Sequence, residues 1–273
     1  MATHQKLPAR APDPSLFTML GRQLDYWWHV YRRTWKGSAV SSFVEPLMYL
    51  AAMGVLLGGY VDDSGSSLDG ASSYLVFIAP GLLAATGMRV AISEVMWPVM
   101  GAIKWDRTYF GMIATPLRVV DIVAGHLGYA MFRVVFTCVV FVGVLAAFGI
   151  FTSVVGAVGA LLAAVLIGFA FAAPVYAFSA GARSEQGFAL IYRVGVMPMF
   201  LFSGAFFPIS NLSTPLEMLA RLTPLWHGVE LTRMSTLGTW ELGDAVVHVL
   251  YLLALGTAGV WWAVRRLTAR LVT

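Results

Sequence analysis

Charge is scarce in this chain. Only 12% of its 273 residues are Asp, Glu, Lys or Arg, while 59% are hydrophobic. A soluble domain carries about twice that charged fraction, so a water-soluble globular fold is excluded and the chain reads as an integral membrane protein. Cysteine is nearly absent too. Cys138 stands alone in an apolar run, which excludes an internal disulfide and a cysteine-based metal site. No G-x-x-x-x-G-K-[ST] sequence is present, so there is no P-loop for ATP, and neither G-x-S-x-G nor H-E-x-x-H occurs. The histidines, His4, His29, His126, His227 and His248, are scattered with no pair at ligand spacing. The sequence therefore offers no catalytic site. The stretch from Met1 to Lys36 lacks an apolar core followed by a small-residue cleavage site, so it is not a signal peptide.

What is present is an all-α polytopic pattern. Residues 1–15, rich in Ala and Pro, are expected to be disordered. Over residues 16–36, Leu16, Leu20, Leu24, Trp27, Tyr31 and Trp35 recur at helical spacing among basic residues, which predicts an amphipathic helix at the membrane interface. Six apolar segments follow within residues 38–265: about 38–60, 74–100, 122–148, 154–180, 190–207 and 245–264. Each approaches the roughly 20 residues that a bilayer requires. Residues 266–273 are left as a tail. Lys and Arg cluster before the first span, in the elbow at 101–121, in the turn with Arg183, and at the end. The loop after the first span carries Asp62, Asp63 and Asp69 and no base. This alternation predicts a multi-pass protein with both termini in the cytoplasm.

The elbow carries the pattern KWDRTYFGMIATPLRVVD from Lys104 to Asp121. Trp105, Tyr109, Met112 and Ile113 fall at roughly helical spacing, so a short helix with an apolar face is expected. Thr115-Pro116 reads as the start of the next helix. The connection at 208–243, expected on the outer side, is too broken to span and predicts a re-entrant hairpin of two short helices, 215–222 opening on a Thr-Pro-Leu-Glu capping box and 224–236. Glu45, Arg89, Glu94, Arg133 and His248 lie within or at the ends of spans, where charges are costly and pair. The expected pairs are Glu45 with Arg133, or Arg89 with Glu94. Gly54-x-x-x-Gly58 permits close helix contact, within the chain or between chains.

Three blocks carry a family resemblance. They are Tyr74-Leu-Val-Phe-Ile-Ala-Pro-Gly-Leu-Leu, the elbow's Met112-Ile-Ala-Thr-Pro-Leu-Arg with Asp121-Ile-Val-Ala-Gly125, and Phe202-Ser-Gly-Ala-Phe-Phe-Pro-Ile followed by Pro224-Leu-Trp-His-Gly-Val-Glu-Leu-Thr-Arg233. With these the chain resembles the six-span permease subunits of type-2 ABC exporters. Within them it is most similar to the lipo-oligosaccharide (nodulation-factor) branch, related to drug-resistance permeases. The resemblance implies a non-catalytic subunit of the bacterial inner membrane that moves a lipid-linked glycan, glycolipid or amphiphilic drug outward. It implies a second permease chain, identical or paralogous, and two separate ATPase subunits that bind the ATP and Mg. No cofactor in this chain and no nucleic acid are implied. The ATPases would dock on Lys104, Trp105, Arg107, Tyr109, Met112 and Arg118, and on Arg22 and Arg33 of the interfacial helix. Phe206, Phe207, Pro208, Trp226, His227 and Glu230 would form an outer gate. The rival classes are a secondary transporter or channel, which would show internal repeats, and a lipid-modifying enzyme, which would need a ligand or acid–base cluster.

Overall fold

The computed structural model of the chain describes residues 16–63, 68 and 70–272; several side chains between 16 and 63, that of Glu45 among them, lie outside the description, as do residues 1–15. The regular elements among the described residues are all helical. Helix α1 runs over Leu16–Tyr49, passes into a π-helical stretch at Leu50–Leu57, and continues as α2 over Gly58–Asp63. The interfacial helix and the start of the first apolar segment are thus one continuous helix. Gly37, between the two stretches, does not break the helix.

Among the described residues, four helices are long and apolar enough to cross a membrane: α3, Tyr74–Lys104; α5, Val119–Ala147; α6, Val154–Gly181; and α11, Leu242–Leu271. Between α3 and α5 lies the elbow helix α4, Thr108–Ile113. The expected first and fifth segments are shorter apolar stretches, Leu47–Asp62 and Gln186–Phe202. The latter is broken into α7 (Gln186–Leu190), a π-helical turn at Ile191–Val196, and α8 (Met197–Phe202). Gly195 lies in that turn, and Pro198 removes a backbone donor just beyond it.

Local chemistry fixes the helix starts. Ser73 caps α3 and Ser153 caps α6, their hydroxyls accepting from the Val76 and Gly156 N–H groups. The third span does not begin at Thr115-Pro116 as expected. The Thr115 hydroxyl donates to the Met112 carbonyl at 2.6 Å and closes α4. Asp121 accepts from the Arg118 N–H at 3.0 Å, and α5 starts there. Helices α9 (Thr214–Arg221) and α10 (Pro224–Leu237) occupy the connection at 208–243. Glu217 does not close a capping box; it pairs with Arg221 at 2.7 Å.

The core is built on α3, which packs against α5, α6 and α10. A Cβ at Gly87 would lie 2.6 Å from the Ala164 carbonyl oxygen, so only glycine lets α3 and α6 approach this closely. Gly54 is pressed against Leu75 of α3, so the Gly54–Gly58 motif is used within the chain.

Candidate functional site

The elbow is fastened to the bundle from beneath. Tyr109 is 1% exposed and points inward between α5 and α6. Its hydroxyl bonds the His126 Nδ1 and accepts from the Tyr176 hydroxyl at 3.0 Å. The other His126 nitrogen, Nε2, donates to the Glu94 carbonyl at 2.9 Å. These partners define a neutral imidazole, with Nδ1 accepting and Nε2 protonated. Burial, and then the neighbouring Tyr176, pushes the Tyr109 hydroxyl well above its ordinary value, so it stays a donor. A chain of bonds thus runs from the elbow through α5 and α6 to the middle of α3.

This placement corrects the expected ridge of Trp105, Tyr109 and Met112. Tyr109 is a root of the elbow and Phe110 is on its outer face, 39% exposed beside Trp105 at 53%. Met112 is half-buried, its sulfur 3.9 Å from Gln23 Nε2 of α1. Arg107 heads α4 at φ 53°, a left-handed conformation uncommon for residues with a side chain, and is exposed. Lys104 pairs with Glu185 at 3.3 Å, joining the elbow to the turn after α6. The Arg118 guanidinium is taken up by Asp121 at 3.0 Å. Arg22 and Arg33 are exposed on α1.

Beyond the bond chain lies a cavity of about 480 Å³, lined by Tyr49, Arg89, Ser93, Glu94, Arg133 and Tyr192 among others. The two π-helical stretches adjoin it, one directly after Tyr49 and one containing Tyr192; such stretches recur at functional sites. Glu94 pairs with Arg133 and not, as expected, with Arg89. Arg133 Nε donates to Glu94 Oε1 at 2.9 Å, while Arg89 reaches the Tyr49 hydroxyl at 3.4 Å. The Glu45 side chain lies outside the described residues.

On the opposite side of the bundle, α10 is drawn into the core. Thr232 donates to the Pro80 carbonyl at 3.0 Å, and Arg233 bridges Glu230 at 2.9 Å and the Gly204 carbonyl at 2.7 Å. The Tyr74 hydroxyl donates to the Phe206 carbonyl, and Phe207 packs edge-on against Phe202. Pro208 opens a short 3-10 turn. His227 and His248, far apart in sequence, meet at 2.6 Å with Trp226 edge-on to both. Burial, then the His248 imidazole, holds His227 down at about 4 against an ordinary 6.5. Freed from this packing, His227 would bind a proton at higher pH than it does in place. The α10–α11 contact should therefore be at full strength above pH 6.5 and weaken as pH falls towards 4. Melting in detergent across that range reads it, and His227→Gln should flatten the slope; an unaltered slope would remove His227 as its source.

Residues 16–237 match the ABC-2 type transporter family. The chain belongs to that family. It is similar to nodulation protein J of Rhizobium leguminosarum bv. trifolii, 32% identical over 230 residues, covering 82% of this chain and 85% of that one. It is also 30% identical to nodulation protein J of Sinorhizobium fredii over 254 residues, 90% of this chain and 94% of the relative. As an ABC-2 transporter chain, it is the membrane permease subunit of an ABC exporter. Sequence reading passed over His126, which sits at the centre of the ABC-2 permease's elbow anchorage, and the His227–His248 contact. Both join residues distant in the chain, so spacing gives no signal for either.

Proposed function

We propose that the chain is half of the membrane part of an exporter for an acylated glycan or related amphiphile, and that the elbow drives it. In this reading the chain crosses the bacterial inner membrane six times with both termini in the cytoplasm, the two short apolar stretches flanking the central cavity. Two permease chains pair, and two ATPase subunits, which bind the ATP and Mg, seat on the elbows. The observation that carries the reading is the buried bond chain from Tyr109 through His126 to α3. It gives a movement of the elbow a stiff route to the helix that bears Arg89 and Glu94. The exposed Trp105 and Phe110, beside Lys104 and Arg107, are the surface for the ATPase, since an aromatic patch on the water side needs a covering partner. The substrate class follows the likeness to lipo-oligosaccharide permeases and the mixed polar and apolar cavity.

Truncating an aromatic anchor at an interface commonly costs about 2 kcal/mol or more, roughly thirty-fold in affinity. Trp105→Ala with Phe110→Ala should therefore lose the partner ATPase in a pull-down at matched expression and abolish export, with melting unchanged. Retention of both would remove the elbow surface from the mechanism. Cysteine labelling at positions 66 and 268 tests the topology, and access to both from the same side would sink the orientation.

A further inference from the structure

Two adjoining hollows lie on the seam between α1 and α5. One is an apolar groove of about 270 Å³ lined by Trp27, Trp28, Tyr31, Gly128, Tyr129 and Phe132. The other is a pocket of about 260 Å³ whose lining includes Trp27, Thr34, Glu94, His126, Tyr129 and Arg133. Trp27 and Tyr129 belong to both, stacked at 4.5 Å and 14° as the wall where the two meet. The outer rim of the groove, Trp28 and Phe132, is open to the surroundings.

Two residues of the pocket lining carry a buried donor without a partner. Arg133 is 7% exposed; its Nε is taken by Glu94, but its Nη1 is buried without a hydrogen bond, and so is Trp27 Nε1. Buried donors left unpaired are costly, and a site with two of them is built for an acceptor. Glu94 and Arg133 also line the central cavity, so the pocket and the cavity share a wall.

We infer that this seam binds one acylated amphiphile, with its acyl chain in the aromatic groove and the carbonyl oxygen at the head of that chain accepting from Trp27 Nε1 and Arg133 Nη1. The occupant is the exported molecule, taken from the leaflet on the elbow side and passed towards the cavity across the Arg133–Glu94 pair. The inference rests on the exporter reading above. An apolar groove alone would hold any lipid tail. The donors beside it select a chain that begins in an amide or ester carbonyl.

The probe is N-palmitoyl-glucosamine carrying a diazirine on its acyl chain, added to the full chain in nanodiscs. Saturable photolabelling of residues 27–31 and 128–132 is expected, displaced by the unlabelled compound. A Cβ at Gly128 meets nothing within 4 Å, so Gly128→Leu puts its side chain into the groove without a clash. It should weaken labelling by about ten-fold, the effect of displacing about two methylenes, with melting unchanged. Trp27→Phe keeps the stack and removes the donor, and should weaken labelling about five-fold. Equal, unsaturable labelling by a phosphatidylglycerol with the same diazirine, untouched by Gly128→Leu, would mean a resident lipid only and overturn the inference. Proteoliposomes holding permease, ATPase and ATP separate the two readings. Saturable labelling that ATP never depletes would keep the site and sink the exporter reading. ATP-driven movement of the probe that ignores both substitutions would keep the exporter and sink the site.

Discussion

Tyr109→Ala is expected to free the elbow from the bundle and to be among the most destabilising single changes in the chain. The side chain is fully enclosed, and truncating a buried large aromatic costs about 3–5 kcal/mol. Its loss also leaves the His126 Nδ1 and the Tyr176 hydroxyl without a partner, adding about 1–3 kcal/mol for each buried group stranded. Tyr109→Phe retains the ring and strands the same two groups, so it should cost less and show the hydrogen bonds apart from the packing. Melting of the detergent-solubilised permease measures the first loss, and ATP hydrolysed per molecule exported measures the coupling. In the exporter reading, Tyr109→Phe keeps ATPase binding, because the docking surface is the opposite side of α4. It should raise the ATP used per export event, because the route to α3 is cut. A Tyr109→Ala protein that melts like wild type while losing its ATPase would put Tyr109 back on the outer face.

Apolar runs made α3, α5 and α6 readable to within a few residues, because a bilayer demands length, whereas the Thr115-Pro116 cap signal misplaced the start of α5. The spacing of Trp105, Tyr109 and Met112 made a short elbow helix readable as well. Which face turns inward was not readable. That choice is made by His126 and Tyr176, 17 and 67 residues away, which supply hydroxyl and imidazole partners that Phe110 has no group to use. The π-helical turn inside the fifth apolar segment was unreadable for a related reason. Composition sees apolar residues, whereas Gly195 and Pro198 break the bond ladder that a straight helix needs. The charged residues were found by rarity alone. Their partners were not, since Glu94 and Arg133 sit on different helices and no periodicity relates them.

The Arg133–Glu94 pair is where the remaining large effect is expected. The two side chains are 9% and 18% exposed, so each is largely withdrawn from its surroundings and depends on the other. Removing one partner of such a pair typically costs about 3–5 kcal/mol, while replacing both with apolar groups is often neutral. Glu94→Gln and Arg133→Gln should therefore each lower the melting temperature sharply, and Glu94→Leu with Arg133→Leu should recover much of the loss. The cycle should show a coupling of about 0.5–3 kcal/mol, the range for residues in contact. The same cycle run between Glu45 and Arg133 is expected to be additive, since the Arg133 Nε is already engaged by Glu94. Strict additivity for Glu94 with strong coupling for Glu45 would reverse the pairing and restore the one read from the sequence. Stability and transport should part company in the double leucine variant. It regains packing but has lost the Arg133 donor and the polar wall between the seam and the cavity, so export should stay low in a protein that melts normally. Export restored together with stability would make the pair a structural tie and nothing more.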